Sequence, residues 1–381
     1  MNRLVLISII SALIYVMASC STKQTPDRKA IAQLDSLFSR LYPADEPGAA
    51  ALILKGDNIV YKKGFGIANI ETKEPVTSKT FFCIASVSKQ FSAVALMMLH
   101  EEGKLSLDDN VSTFFPHFKA PFFKTITLRH LLSHTSGIPD ARPRNDRNFV
   151  LTAIDETSYV YMEELDKLNF EPGTAYEYMN PTYQLMYTII EKASGMKFDD
   201  FMRARIFDVA GMSESIYFED GKPIPHFSHG YRPNRNGEGF EKYDYGEASF
   251  FATKADGGLY TSVEEFAQWE KALRGNLLIS KEMSEEAWSK KIDIPDTSYT
   301  GYGYGWFIEE KQGLPKKVYH TGDNGGYQIY AGRYPDKEIL YLIFATRNDK
   351  NREATVETVD EIMKSAGWLD YIAISYMFLD L

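Results

Sequence analysis

Cysteine is scarce in this sequence: only Cys20 and Cys83 occur among its 381 residues. At most one intrachain disulfide could form, and none can form if Cys20 carries a lipid, as the residues around it predict below. For Cys83, three residues before Ser86, we expect the role of a small, buried, apolar residue.

Runs of basic residues are also missing, and the formal net charge is −10. Phosphate binding needs a basic surface, so we expect no nucleic-acid partner. The histidines do not cluster, and we expect structural roles, no metal and no cofactor for His100, His117, His130 and His134. With 44% hydrophobic and 25% charged residues, the composition is that of a globular protein.

No apolar run is long enough to cross a bilayer, which takes roughly 20 residues. Arg3, the apolar run at 4–17 and the small residues after it predict a secretory signal peptide at 1–20. Its ending, Met17-Ala18-Ser19-Cys20, resembles a bacterial lipoprotein cleavage site, which implies a lipidated Cys20 and a polar tether at 21–29. We expect an exported bacterial lipoprotein, anchored to a membrane by its lipid and facing the periplasm or the cell surface. Plain secretion is the alternative.

Strand signals lie near both ends of the chain, with helical signals between them. Apolar runs at 49–55 and 59–65 flank Gly56-Asp57-Asn58, a hairpin signal. Aromatic and branched residues predict further strands at 302–309, 318–320, 327–334 and 338–346. The pattern predicts an α/β (α+β) fold, with one antiparallel sheet built from residues 30–104 and 300–367 and a mostly helical lobe at 105–299. We expect the apolar tail, 368–381, to pack against the body or a partner.

Ser86 and Lys89 stand three residues apart where a helix is predicted to begin. Val87, Phe91 and Val94 begin the apolar series of that helix, which Gly103 ends. Residues three apart on a helix are neighbours, so both side chains share a face. Burial and the helix N-terminus both disfavour an ammonium there. A neutral amine can take the proton of a serine hydroxyl, which makes the oxygen a nucleophile.

Two observations weigh against reading Ser-x-x-Lys by itself as catalytic. Ser86 could be a helix N-cap followed by a solvated lysine. The pattern also occurs at Ser194 and Lys197, where Gly195 ends a predicted helix and no buried helix follows. The Ser86 interpretation therefore depends on motifs further along the chain.

Two such motifs follow Ser86 and Lys89 in order, Tyr178-Met179-Asn180 and His320-Thr321-Gly322. The set resembles the signature of the serine β-lactamase and penicillin-binding-protein superfamily. It is most similar to the branch of class C β-lactamases, D-Ala-D-Ala carboxypeptidases, D-aminopeptidases and related esterases. Flanking segments at 102–109, 131–137, 172–174, 255–262 and 322–333 agree, so the resemblance covers about residues 30–347 and implies a β-lactamase/transpeptidase-like fold.

The resemblance implies a serine hydrolase that forms an acyl-enzyme. Ser86 would be the nucleophile, while Lys89 and Tyr178 would hold its proton and pass it to the leaving group. Asn180 would orient the substrate amide, although asparagine before Pro181 is also a good helix cap. His320 and Thr321 would bind substrate along the strand, and the backbone N–H groups of Ser86 and Asp323 would form the oxyanion hole.

The sequence departs from this family pattern at two positions. Many members have lysine where His320 stands, and a histidine is only partly charged near neutral pH. We expect a charged His320 to hold a substrate carboxylate, with a raised pKa if Asp323 pairs with it. Asp323 itself would oppose anionic substrates unless it points away or pairs with a cation.

The expected substrate is a small molecule or peptide, and three functions stay open. The preferred function is a peptidase or carboxypeptidase for D-amino-acid peptides, or an esterase. The alternatives are a true β-lactamase and a non-catalytic penicillin-binding or sensing lipoprotein. The sequence gives no indication of the oligomeric state.

Overall fold

A computed structural model describes residues 26–369, apart from residues 220, 244–252, 296 and 298. The predicted signal peptide, the predicted lipidation site Cys20 and residues 370–381 of the tail lie outside the described residues. None of the helices that are described is both long and apolar enough to cross a bilayer.

The strands of the described part form one large sheet and three small ones. In chain order they are β1 (Ala49–Lys55), β2 (Asn58–Phe65), β3 (Ile67–Asn69), β4 (Glu74–Pro75), β5 (Phe82–Cys83), β6 (Ile216–Tyr217), β7 (Tyr231–Pro233), β8 (Phe240–Lys242), β9 (Leu259–Thr261), β10 (Ile292–Asp293), β11 (Thr300–Tyr302), β12 (Phe307–Glu309), β13 (Lys317–Asn324), β14 (Tyr327–Tyr334) and β15 (Ile339–Ala345).

The large sheet confirms the prediction of an antiparallel sheet built from both ends of the chain. Its eight strands in the described part follow the order β10-β11-β12-β13-β14-β15-β1-β2. The two ends meet where β1 pairs with β15, with Ala49 opposite Ala345. The hairpin predicted at 56–58 joins β1 to β2. β10 belongs to this sheet although it lies within the predicted helical lobe, whose boundaries stay a prediction.

Both faces of the sheet centre are covered, which explains the continuous apolar runs of β1 and β15. Along β1, Leu52 and its alternate neighbours belong to the core on the side of the central helix. Ala51 and Ile53 belong to a second core, shared with the first and last described helices. This alternation follows from the two-residue period of a strand.

The helices surround the sheet and fill the middle of the chain. In chain order they are α1 (Pro26–Leu41), α2 (Lys89–Glu101), α3 (Val111–Phe114), α4 (Leu128–Leu132), α5 (Arg147–Thr152), α6 (Tyr159–Glu163), α7 (Asn180–Ser194), α8 (Phe198–Phe201), α9 (Asp208–Ala210), α10 (Val263–Arg274), α11 (Lys281–Ala287) and α12 (Arg352–Ser365). A π-helical segment, Met202–Phe207, joins α8 to α9, and short 3₁₀ turns occur at Ala85–Ser88, Pro121–Lys124, Asp155–Ser158 and Pro335–Lys337.

Three boundaries differ from the sequence prediction. Thr127 as a cap and Gly137 as a stop predict a short helix that ends at Gly137, but the helix ends at Leu132, because His134 turns the chain with φ of +57°. The strand predicted at 302–309 is two strands, β11 and β12, with Gly305 between them at φ of +93°. α1 starts at Pro26, inside the predicted tether.

The beginning of the apolar tail packs against the body of the protein. Trp368 and Leu369 are buried in the core shared by α1 and α12. The Trp368 indole N–H donates to Asp27 at 2.7 Å, which connects the two ends of the described chain.

Candidate active site

Ser86 is presented by a tight turn at the start of the central helix. Across residues 80–99 it is the only residue that is not buried. The residue before it, Ala85, has φ of +47°, a left-handed conformation that is unfavourable for a residue with a Cβ atom. The 3₁₀ turn Ala85–Ser88 then leads into α2. The helix predicted at Ser86 therefore begins as a strained turn that exposes one hydroxyl.

Strand β13 lies directly against this turn, and Gly322 makes the approach possible. A Cβ atom on Gly322 would lie 2.4 Å from the Ile84 carbonyl oxygen and 3.2 Å from the Ala85 Cβ atom. Such distances are below van der Waals contact, so no other residue fits without displacing the turn. The glycine of the His320-Thr321-Gly322 motif thus sets the spacing between β13 and Ser86.

The Lys89 ammonium or amine group lies beside Ser86 and is wholly buried. Its Nζ atom lies 3.1 Å from Ser86 Oγ, 2.8 Å from Asn180 Oδ1 and 2.9 Å from the Asp256 carbonyl oxygen. Lys89 itself is 0% exposed. Burial lowers its pKa to about 8, although the negative charge of Asp256 opposes this shift.

These three contacts hold Lys89 Nζ in place both as an ammonium and as an amine. Nζ can donate to all three oxygens, which matches an ammonium with three N–H groups. When the ammonium loses a proton, the Asn180 and Asp256 oxygens, which can only accept, keep the two remaining N–H donors. The lone pair then faces the Ser86 hydroxyl and can accept its proton.

Tyr178 faces the same amine, with Lys89 Nζ 5.1 Å from the centroid of its ring. Its hydroxyl oxygen is buried and makes no hydrogen bond with any residue that the structure describes. Burial raises the pKa of Tyr178 well above its usual value, and the Ser86 side chain, which is not in hydrogen-bonding geometry with it, opposes part of this shift. Tyr178 is accordingly a neutral phenol in the free protein.

His134 holds the segment that carries Tyr178, a role that the sequence did not reveal. The Met179 N–H donates to His134 Nδ1 at 3.1 Å, and the Glu177 N–H donates to the His134 carbonyl at 3.0 Å. The His134 and Tyr178 rings are 4.3 Å apart. Burial lowers the pKa of His134 well below its usual value, so a neutral imidazole supports this segment.

Asn180 is the first residue of α7, but its side chain does not cap the helix. No side-chain hydrogen bond caps this helix start, and the preceding Met179 occupies the cap position. The Asn180 carboxamide oxygen instead accepts from Lys89. Pro181 starts the helix because it has no N–H to satisfy and a suitable φ.

The structure corrects the expectation that His320 carries a positive charge. His320 is 1% exposed, its Nε2 lies 3.0 Å from the Tyr302 hydroxyl, and its Nδ1 lies 2.6 Å from the Thr321 carbonyl. Burial lowers its pKa to about 3, and the nearby Lys89 adds to this shift. His320 is therefore neutral near pH 7 and cannot hold a substrate carboxylate by charge.

Thr321 is directed differently from the expectation, whereas Asp323 pairs with a cation, which was one of the alternatives for it. The Thr321 side chain lines a separate hollow of about 330 Å³ that is bordered by residues of α12. This follows from strand alternation, since Thr321 and His320 face opposite sides of β13. Asp323 Oδ2 accepts from Arg352 Nη1 at 2.6 Å, so Asp323 pairs with arginine and not with His320.

A cavity of about 430 Å³ opens over Ser86. Ser86, Asn180 and Asp323 line it, together with three residues that sequence reasoning missed, Arg142, Gln184 and Asp256. His320 and Thr321 are absent from its described wall. No motif singled out the three missed residues, although Asp256 falls in a segment, 255–262, that resembles the family.

The carried-over roles of Ser86, Lys89, Tyr178, Asn180 and the oxyanion-hole N–H groups stay predictions. Within the residues that are described, no three His, Cys, Asp or Glu side chains are grouped so that they could hold a metal ion.

Comparison with known proteins identifies the family of this sequence. The sequence profile of the family Beta-lactamase matches residues 34–361. Penicillin-binding protein 4* of Bacillus subtilis (strain 168) is 31% identical over 347 residues, which are 87% of this chain and 74% of that protein.

Solved structures give the same result for the fold. The octameric penicillin-binding protein homologue from Pyrococcus abyssi superposes with a TM-score of 0.76 at 28% identity, covering 89% of this chain and 77% of that one. The D-amino acid amidase from Ochrobactrum anthropi SV3, in complex with L-phenylalanine amide, superposes with a TM-score of 0.75 at 22% identity. The match covers 90% of this chain and 98% of that one. Since the profile spans most of the sequence, the chain belongs to the Beta-lactamase family and is a serine hydrolase.

Proposed function

We propose that this serine hydrolase cleaves amide or ester bonds of D-amino-acid derivatives through an acyl-enzyme on Ser86. The observation that carries the proposal is the contact between Lys89 and Ser86, with the other two neighbours of the amine able only to accept hydrogen bonds. A lysine with a pKa of about 8 is a base that works near neutral pH.

In the proposed acylation, Lys89 takes the Ser86 hydroxyl proton while Ser86 Oγ bonds to the substrate carbonyl carbon. The backbone N–H groups of Ser86 and Asp323, which line the same cavity, receive the negative charge on the carbonyl oxygen. The bond to the leaving group then breaks. Tyr178 gives its phenolic proton to the leaving group and regains one from Lys89.

Deacylation repeats these steps with water as the nucleophile. Water loses a proton to Lys89 as its oxygen bonds to the acyl carbon, and the Ser86 ester bond then breaks. Ser86 recovers its proton, and the acid product leaves. The protein needs no metal or cofactor for this sequence of steps, because a base, a proton donor and an oxyanion site suffice.

Similarity to the named relatives supports the substrate class. The D-amino acid amidase shares the fold, and the relative from Bacillus subtilis is named a penicillin-binding protein. A cavity of about 430 Å³ suits a small substrate. The neutral His320 removes one expected cation for a substrate carboxylate.

The test is a substrate panel with wild type and Ser86→Ala. The panel contains a D-amino-acid p-nitroanilide, a short-chain p-nitrophenyl ester and nitrocefin. Ser88→Ala is the matched control, because Ser88 is a buried serine in the same turn that does not line the cavity. We expect Ser86→Ala to lose all turnover and Ser88→Ala to keep it, with both variants folded by circular dichroism.

Labelling with a fluorescent β-lactam separates the remaining alternatives. A transient label followed by recovery indicates β-lactam hydrolysis, and a stable label indicates a slow acyl-enzyme. A stable label on a protein that turns over none of the panel substrates would favour the binding or sensing function instead.

We also propose membrane attachment through a lipid on Cys20, which lies outside the described residues. Cys20→Ser should move the protein from the membrane to the soluble fraction without changing its specific activity. A variant that stays with the membrane would contradict this anchor.

A further inference from the structure

We infer that the Asp256 carboxylate binds a free ammonium group on the acyl side of the substrate, so that the substrates are amino-acid amides, esters or peptides with a free amino terminus. This inference rests on the proposed acyl-enzyme at Ser86, and it names the substrate class of that same site.

Asp256 lies between the proposed base and the cavity. Its backbone oxygen accepts from Lys89 Nζ at 2.9 Å, and that same Nζ atom lies 3.1 Å from Ser86 Oγ. Asp256 and Ser86 both line the cavity. Lys89 therefore connects the Asp256 backbone to the nucleophile, and we place the α-substituent of an acyl group on Ser86 beside Asp256.

One oxygen of the Asp256 carboxylate has no partner. Its Oδ2 accepts from Gln184 Nε2 at 3.3 Å, whereas Oδ1 is buried without a hydrogen bond to any part of the chain that is described. The residue is only 6% exposed. A buried carboxylate oxygen without a donor is costly, and an incoming ammonium with three donors satisfies it.

The charged groups around Asp256 have other partners. The three contacts of Lys89 go to the Ser86 hydroxyl, the Asn180 side chain and the Asp256 backbone, none of them to the carboxylate. Arg142 forms two hydrogen bonds of 2.8 Å with Asp140, and its Nη1 lies 3.2 Å from Gln184 Oε1.

The segment that carries Asp256 is held in place from behind. The buried Asp155 carboxylate accepts from the N–H groups of Lys254 at 2.7 Å and Ala255 at 3.0 Å. The Ser92 hydroxyl of α2 donates to the Ala255 carbonyl at 2.7 Å. Asp256 is thus presented on a fixed backbone, which reduces the entropy cost of binding an ammonium.

The sign of the charge in this wall selects the ligand. The described wall contains two carboxylates, Asp256 and Asp323, and two guanidinium groups, Arg142 and Arg144. Asp323 pairs with Arg352, and both arginines of the wall pair with Asp140, so Asp256 is the charged residue of the described wall for which no ion pair is present. An anionic group on the acyl side would be repelled by Asp256, and a neutral acylated amine offers the carboxylate a single N–H donor and no charge. A free ammonium avoids both penalties.

The experiment compares kcat/KM at pH 7 for D-alanine p-nitroanilide and N-acetyl-D-alanine p-nitroanilide, with p-nitrophenyl butyrate as a neutral reference. The variants are Asp256→Asn and Asp108→Asn, which remove the same charge. Asp108 pairs with Arg129 and does not line the cavity. The ratio of free to acetylated substrate cancels any effect of Asp256→Asn on the pKa of Lys89.

We expect wild type and Asp108→Asn to prefer the free amine, and Asp256→Asn to lower this ratio by about ten- to a hundredfold. Hydrolysis of the butyrate measures any effect of Asp256→Asn on Lys89 that is common to all substrates, and Asp108→Asn should change it by less than about threefold. The wild-type ratio needs no variant, so it tests the inference even if Asp256→Asn does not fold.

Several results would overturn the inference while leaving the proposed function intact. They are a wild type without preference for the free amine, an unchanged ratio in Asp256→Asn, and an equal loss on all three substrates. Cleavage of the butyrate alone would overturn both the inference and the D-amino-acid substrate of the proposed function. If wild type cleaves none of the three compounds, or Ser86→Ala remains active, the proposed acyl-enzyme itself fails.

Discussion

Lys89 Nζ lies 3.1 Å from Ser86 Oγ, and the Lys89 side chain is wholly buried. An amine in this position works as a base only when it is deprotonated. Its pKa of about 8 therefore sets the pH range of the enzyme.

The first prediction is the pH dependence of kcat/KM for a neutral ester. Below pH 8 the ammonium form of Lys89 predominates, so kcat/KM should fall about tenfold per pH unit and level off above pH 8. No further inflection near pH 6.5 should appear, because His320 is already neutral there. A flat profile from pH 6 to 9 would contradict Lys89 as the base.

Asn180→Asp should move this profile to higher pH. The new carboxylate would stand about where Asn180 Oδ1 lies, 2.8 Å from Lys89 Nζ, and would stabilise the ammonium. Opposite charges at such distances raise the pKa of a cation by about 1–3 units. The control is Asn276→Asp, which adds the same charge at an exposed loop position. An unshifted midpoint would show that Asn180 does not set the charge state of Lys89.

Tyr178→Phe should reduce kcat by about 10²–10⁴-fold with little change in KM, since it removes a proton donor. Thermal stability should hold, because the buried hydroxyl has no hydrogen bond among the described residues to lose. Tyr176→Phe, two residues earlier on the same segment, serves as the control. If only KM changes, Tyr178 shapes the pocket and transfers no proton.

His320→Gln should make the protein less sensitive to acid. Folding holds His320 neutral with a pKa of about 3, so its contribution to stability is present above pH 6.5 and is lost as the pH falls towards 3. From pH 7 to pH 5 the loss of this contribution lowers the free energy of unfolding by about 2 kcal/mol, which urea titrations can measure. His117→Gln, at an exposed position, should leave the pH dependence as it is. Equal acid sensitivity of wild type and His320→Gln would mean that protonation of His320 does not destabilise the folded protein.

Gly322→Ala should impair catalysis more than folding. The added methyl group meets the Ile84 carbonyl at 2.4 Å and must displace the turn that carries Ser86. Overpacking of this kind costs about 1–3 kcal/mol, while misplacing a nucleophile by about 1 Å lowers kcat about a hundredfold. The measurements are kcat and urea unfolding. A variant with normal kcat would show that β13 does not fix the position of Ser86.

Local patterns in the sequence were sufficient for the elements that carry the site. The hairpin at 56–58, the start of α7 at Asn180 and its end before Gly195 are short-range features, and the structure has them as predicted. The proximity of Ser86 and Lys89 is local as well, because three residues separate them within one turn. Motif order then indicated the family and the sheet built from both ends of the chain.

The charge states and ion pairs of the site could not be predicted from local sequence patterns. His320 was expected to be charged because an exposed imidazole titrates near neutral pH. In the fold, Tyr302 approaches from β11 and Phe307 from β12, and they exclude the water that a cation needs. Asp323 could pair with His320 by sequence proximity, yet Arg352 reaches it from α12.

The sequence alone determined the nucleophile candidate, its lysine, the order of the motifs and the fold class, because these depend on spacing along one chain segment or on pattern. The tertiary structure decided the protonation states of Lys89, Tyr178 and His320, the side of β13 that Thr321 faces, and the unsatisfied oxygen of Asp256. Those properties depend on burial and on partners far apart in the sequence, which only the packed fold brings together.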